Sequence, residues 1–282
     1  MESFTFFMKF QQHFAAWVAQ GESARLILIV GSQARSHHPA DAHSDLDLEV
    51  FGTGFDAAAY LNWLRNYAPV WMVLDDPGSS VPKWLVLYKG GYKVDVSLNP
   101  LDGLHEMIRT QTLWPSQQRG YAVLLDRDGV GDQMPQAISD PVVPAPPLDE
   151  VTFRKTVEAY WYGSLYVAKQ IKRGNLWKVK WADQMQQTTL LTMLEYHARV
   201  MQGGAVDVWH NGEFMREWVD ERTWQALHGV YAHFDGQDSW RALEASMQLF
   251  YDLSKVVAAR LHFAYPSVVV HEIRSAIAAL KD

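Results

Sequence analysis

The sequence predicts an α+β protein: a mixed sheet with flanking helices, followed by a helical bundle domain. Three observations predict this. Strand-like and helix-like segments alternate as far as Gly129. The stretch Pro141-Val142-Val143-Pro144-Ala145-Pro146-Pro147 then places four prolines in seven residues, which neither a helix nor a central strand tolerates. Beyond it, apolar residues recur at three- and four-residue spacing, the mark of amphipathic helices. The expected division is a first domain over 1–140, a linker over 141–150 and a helical domain over 151–282.

Residues 4–19 read as an opening helix. Leu26-Ile27-Leu28-Ile29-Val30 is a short, β-branched, buried strand ended by Gly31-Ser32. Leu46-Asp47-Leu48-Glu49-Val50-Phe51 alternates with period two, as a half-buried strand does. Residues 57–67 are helical in composition. Residues 83–88 and 92–98 flank Gly90-Gly91 as a hairpin, and 121–126 form a further strand closed by Arg127-Asp128-Gly129. After the prolines, with Asp149 or Thr152 as the cap, helices are expected over 151–173, 182–202, 221–232 and 239–263.

Hydrophobic residues at 48% and charged residues at 20% are ordinary for a globular chain. Zero cysteines exclude disulfides, thiolate metal sites and cysteine nucleophiles. The start lacks a basic secretory n-region, and no apolar run reaches membrane-span length. A cytoplasmic protein with no membrane partner is expected. The net charge of −7 is uneven: residues 1–150 hold 10 Lys and Arg against 18 Asp and Glu. That balance counts against a nucleic-acid partner, whose phosphates need a basic footprint, and suits a metal site and a polycationic ligand.

The chemistry concentrates in Gly31-Ser32-Gln33-Ala34-Arg35, followed after nine residues by Asp45-Leu46-Asp47. Residues i and i+2 of a strand share a face, so Asp45 and Asp47 project together. Two such carboxylates repel unless a cation neutralises them, and Mg²⁺ carrying triphosphate oxygens does so. Gly31 lets the backbone approach a ligand, while Ser32 and Arg35 offer a hydroxyl and a charge to phosphate. Asp95, in Val94-Asp95-Val96, is costly mid-strand unless paired or metal-bound. It is a candidate either for a metal ligand or for the group that takes a hydroxyl proton. His37, His38 and His43 lie in a hydrophilic loop and read as solvated.

This ordered set resembles the nucleotidyltransferase superfamily typified by polymerase β, and the whole chain resembles the aminoglycoside 6-adenylyltransferases (streptomycin adenylyltransferases). The likeness includes Tyr121 to Gly129, Tyr166-Val167-Ala168-Lys169, Thr192-Met193-Leu194-Glu195-Tyr196, Leu249-Phe250-Tyr251 and Leu261 to Pro266. It implies a polymerase-β-like first domain and the transfer of AMP from ATP to an aminoglycoside hydroxyl; a monomer is expected. It implies that Asp45 and Asp47 hold Mg²⁺ with Asp95 as the third carboxylate, that Ser32 contacts the triphosphate, and that Lys169 reaches the phosphates. The basic run Lys169, Lys172, Arg173, Lys178 and Lys180 fits that role, or alternatively a solvated helix end. Asp183 and Glu195 are candidates for gripping substrate ammonium or guanidinium groups, and Trp177 and Trp181 for stacking on a ring. Surface ion pairs and plain surface aromatics are the competing readings. The chain departs from the family at Gln33, where the family carries arginine; Arg35 follows two residues later. Other expectations the residues leave open are a protein or RNA acceptor, and nucleotide binding without catalysis.

Overall fold

A computed structural model describes residues 2–137, 147–204, 206–208 and 210–281. The chain divides into two compact units, Met1–Val143 and Pro144–Asp282. Of the proline-rich linker, residues 141–146 lie outside the described residues.

The first unit opens with α1 (Glu2–Val18), then β1 (Ala24–Val30), β2 (Leu46–Gly52), α2 (Ala57–Tyr67), β3 (Val70–Asp75), β4 (Lys83–Tyr88), β5 (Tyr92–Pro100), α3 (Leu101–Thr110) and β6 (Ala122–Asp126). The strands form one six-stranded sheet in the order β3-β4-β5-β2-β1-β6. β2 and β5 pair in parallel, and the other neighbours are antiparallel. This mixed sheet is the α+β class that the alternation of segments predicted.

Strand periodicity divides the sheet into two faces. Ile27, Ile29, Leu46, Leu48, Val50, Val94 and Val96 pack against Phe7, Phe10 and Phe14 of α1 and Tyr60 and Leu64 of α2. Leu26, Leu28, Val30 and Phe51 face the other way, onto Leu104 and Met107 of α3. Asp56 caps α2 by accepting from the Ala59 amide at 3.0 Å. The β4–β5 hairpin pairs Tyr88 with Tyr92 across the three residues 89–91, and Gly90 and Gly91 both take the positive φ that favours glycine.

The second unit contains α4 (Glu150–Lys172), α5 (Leu176–Met201), the short α6 (Met215–Trp218) and α7 (Glu221–Leu227), α8 (Gly236–Leu261) and α9 (Ser267–Lys281). Asp149 is the cap of α4, accepting from Thr152 N at 2.8 Å, and Asp220 and Asp235 cap α7 and α8 in the same way. Tyr160 stacks on Phe250 in the core, its hydroxyl 2.7 Å from Ser246 Oγ. Helix α5 begins six residues before the position expected from periodicity, and α7 ends at Leu227 rather than near 232. Among the described residues, no helix is long and apolar enough to cross a membrane.

Candidate functional site

The parallel pairing of β2 with β5 sets Asp47 directly opposite Asp95. Leu46 and Leu48, paired with Val94 and Val96, turn into the core below, so both carboxylates are driven to the α3-bearing face. Asp45 stands just before β2. Gly31, at φ +68°, opens a 3₁₀ turn at the end of β1, and a Cβ there would lie 2.5 Å from Asp47 Oδ2. Only glycine lets the backbone come this close in that conformation. Ser32, half-buried, follows in the same turn. Gln33 donates its side-chain amide to the Asp45 carbonyl at 3.3 Å, so the residue that departs from the resembled family helps to hold the first carboxylate in place. Arg35 Nε donates to the His38 carbonyl at 2.6 Å.

A cavity of about 200 Å³ joins Gly31, Asp47, Asp95, Glu49, Lys83 and Ser116. Burial, then the charge of Asp95 and more weakly that of Asp45, pushes the Asp47 carboxyl up to about 6, against the opposing pull of Lys93. Asp95 is also raised by burial, partly offset by Lys93. Its Oδ1 is buried and accepts no hydrogen bond.

Two neighbours escaped the sequence reading. Glu49 lies two residues beyond Asp47 on the same face and accepts from the Gln117 side-chain amide; burial raises its carboxyl, while hydrogen bonds from Ser116 and Gln117 oppose the shift. Lys93 lies two residues before Asp95, with Nζ 2.9 Å from Asp45 Oδ2 and 3.4 Å from Asp95 Oδ2. Each stands two residues from a carboxylate singled out in the sequence, but only the pairing of β2 with β5 brings both into the site.

The set fits a hard divalent cation: oxygen donors only, an orphaned buried carboxylate oxygen, and a glycine cradle beside Asp47. A mixed sheet with a Gly-Ser turn at the end of β1 and carboxylates in register on β2 and β5 is the arrangement expected of a nucleotide-transferring enzyme.

In the second unit, a groove of about 740 Å³ runs along α5, α7 and the segment 228–232, lined by Asp183, Gln187, Leu191, Trp224 and Tyr231 among others. Burial raises the Asp183 carboxyl, offset by Lys180 and by a hydrogen bond from Gln187. Lys180 Nζ is itself held by the Ala232 carbonyl at 3.2 Å and Ser239 Oγ at 3.0 Å. Glu195 and Trp181 do not line the groove. Burial raises Glu195 with Arg199 opposing it, and Trp181 stands 58% exposed. Lys169 is exposed in the last turn of α4, and Trp177 is also exposed.

Comparison with known proteins agrees with that class and narrows it. The family model for streptomycin adenylyltransferase matches residues 8–279. An aminoglycoside 6-adenylyltransferase of Campylobacter jejuni is 26% identical over 258 residues, covering 86% of this chain and 84% of the relative. One from Bacillus subtilis (strain 168) is 23% identical over 266 residues, covering 90% of each. The crystal structure of an aminoglycoside 6-adenyltransferase from Bacillus subtilis aligns over 95% of both chains at 20% identity, with a TM-score of 0.46. The chain belongs to the streptomycin adenylyltransferase family, and is an enzyme of the adenylyltransferase type.

Proposed function

We propose that the protein transfers AMP from ATP to a hydroxyl of an aminoglycoside, streptomycin, releasing pyrophosphate and acting in the cytoplasm to give resistance. The observation that carries this reading is the in-register pair Asp47 and Asp95, with Asp45 alongside and the Gly31-Ser32 turn against Asp47.

Asp45 and Asp47 would hold Mg²⁺, with Asp95 as the third carboxylate. Bound there, Mg²⁺ supplies charge neutralisation at the triphosphate. The turn at Gly31 and Ser32 offers a hydroxyl and close backbone approach to phosphate oxygens. The acceptor oxygen bonds to the α-phosphorus as the α,β-anhydride bond breaks and pyrophosphate departs. Asp95 receives the hydroxyl proton; burial makes its carboxylate a stronger base than an exposed one. Arg35 and Lys169 are assigned to phosphate. Asp183, in a groove of ligand size, is assigned to a cationic group of the aminoglycoside, with Glu195 and Trp181 in accessory roles outside that groove. The linker at 141–150 is proposed as the boundary between nucleotide-binding and acceptor-binding domains.

Pyrophosphate release, followed with MgATP and streptomycin, spectinomycin, kanamycin or no acceptor, tests the proposal. Release with streptomycin alone, lost in Asp45→Ala and Asp47→Ala, is the expected result. Measurable MgATP binding without release for any aminoglycoside would redirect the search to protein or RNA acceptors. For Asp95, the expectation is that Asp95→Asn stops turnover yet keeps thermal stabilisation by MgATP. Loss of that stabilisation would make Asp95 a metal ligand instead.

A further inference from the structure

The carboxylate cluster carries its own cation. Lys93 and Asp95 leave the same face of β5, and the Lys93 ammonium bridges Asp45 of one segment and Asp95 of the neighbouring strand, at 2.9 and 3.4 Å. Lys83, the lysine that lines the cavity, pairs with Asp76 at 2.9 Å, and its charge acts on Asp47 and Asp95 more weakly than that of Lys93. Asp45 and Asp95 therefore meet one positive charge through Lys93, although the three-carboxylate set fits a divalent ion. An ammonium and a divalent cation drawn by the same carboxylates repel one another at such range. Both cannot keep the same oxygens of Asp45.

We propose that Lys93 is a resident counter-ion of this cluster, displaced from Asp45 when a divalent cation binds, and that the released ammonium then turns to the triphosphate. The proposal rests on reading Asp45, Asp47 and Asp95 as a metal site. Lys93 is a positioning residue with two effects of opposite sign. It weakens the binding of free Mg²⁺, because its charge must be displaced. It strengthens the binding of ATP once Mg²⁺ is present, because the same charge then faces an anion. A lysine that served only the fold would shift both affinities in one direction.

The test is thermal stabilisation by MgCl₂ alone, then by ATP at saturating MgCl₂, in the wild type, Lys93→Met and Lys93→Gln. Removing one unit charge a few ångström from the ion is expected to tighten free Mg²⁺ binding by about tenfold or more, and to weaken ATP by a similar factor. An unchanged or weakened Mg²⁺ response in both variants, with the wild type responding, would overturn the counter-ion role alone. A wild type that responds to Mg²⁺ neither alone nor with ATP would remove the metal reading beneath it, and the counter-ion role with it. If neither variant folds, reductive dimethylation of the wild type, read by mass spectrometry with exposed Lys89 as reference, decides. Lys93 modification should rise on adding MgCl₂, and no rise overturns the proposal.

Discussion

Asp47 is the residue on which charge, burial and backbone meet. Its carboxyl is raised from 3.8 to about 6 in the folded protein, chiefly by burial and then by Asp95. A raised acid binds its proton more tightly when folded, so its ionisation costs stability progressively between about pH 4 and pH 6. In metal-free protein, Asp47→Asn is therefore expected to raise the melting temperature above pH 6. The advantage should shrink as pH falls from 6 and vanish only well below 3.8, where the wild-type group is protonated in both states. A pH series of melting curves for the two proteins checks this, and a difference independent of pH would count against the burial account. Gly31→Ala acts on the same carboxylate from the backbone side. The new Cβ would meet Asp47 Oδ2, and a positive φ costs a non-glycine residue about 1 kcal/mol. Weaker stabilisation by MgATP, with only a modest drop in melting temperature, is the expected pair of readings. The acidic pair was legible in the sequence because period-two alternation fixes which side chains share a face. Lys93 and Glu49 obey the same rule, but a lysine or a glutamate in a strand reads as solvated unless the neighbouring strand is known.

At the scale of elements, clean periodicity and clear punctuation made β1, β2, α2, the β4–β5 hairpin and α4 readable. Those that escaped each break a local rule for a tertiary reason. β3 is an edge strand, and its exposed Trp71, Met72 and Leu74 defeat alternation. α3 starts directly from Pro100 at the end of β5 and carries Gly103, a poor helix residue; a Cβ there would meet the Trp114 ring. α9 begins with Ser267-Val268-Val269-Val270, β-branched residues that favour strands. Capping was the more dependable signal. Asp149→Ala, which leaves the Thr152 amide without its acceptor, is expected to cost about 1 kcal/mol in a denaturant titration. A loss near zero would mean that packing alone sets the start of α4.

For the whole molecule, the proline cluster and the change from mixed to purely helical periodicity pointed to two bodies, and the chain divides into two compact units. The second has its own core, from Phe153 and Tyr160 through Leu194 to Phe250 and Ile277. Residues 144–282 expressed alone are therefore expected to give a helical circular dichroism spectrum and a cooperative melt. A broad, non-cooperative transition would show that this core needs the first unit. The groove beside Asp183 was only partly legible. Asp183 was singled out, but the groove is completed by residues more than twenty positions away, Trp224 and Tyr231, which the sequence does not connect to it.

The parallel match of Asp47 with Asp95 also says where this chain could tolerate a change of length. Between the two strands the chain makes a long excursion through α2, β3 and β4, and the turn from Asp76 to Pro82 could gain or lose a residue without disturbing either carboxylate, whereas the tight turn at Gly90-Gly91 sets the register of β5. One residue inserted inside β5 ahead of Asp95 would instead rotate every later side chain to the opposite face. Asp95 would then be buried against the phenylalanines of α1, and Val94 or the inserted residue would stand beside Asp47.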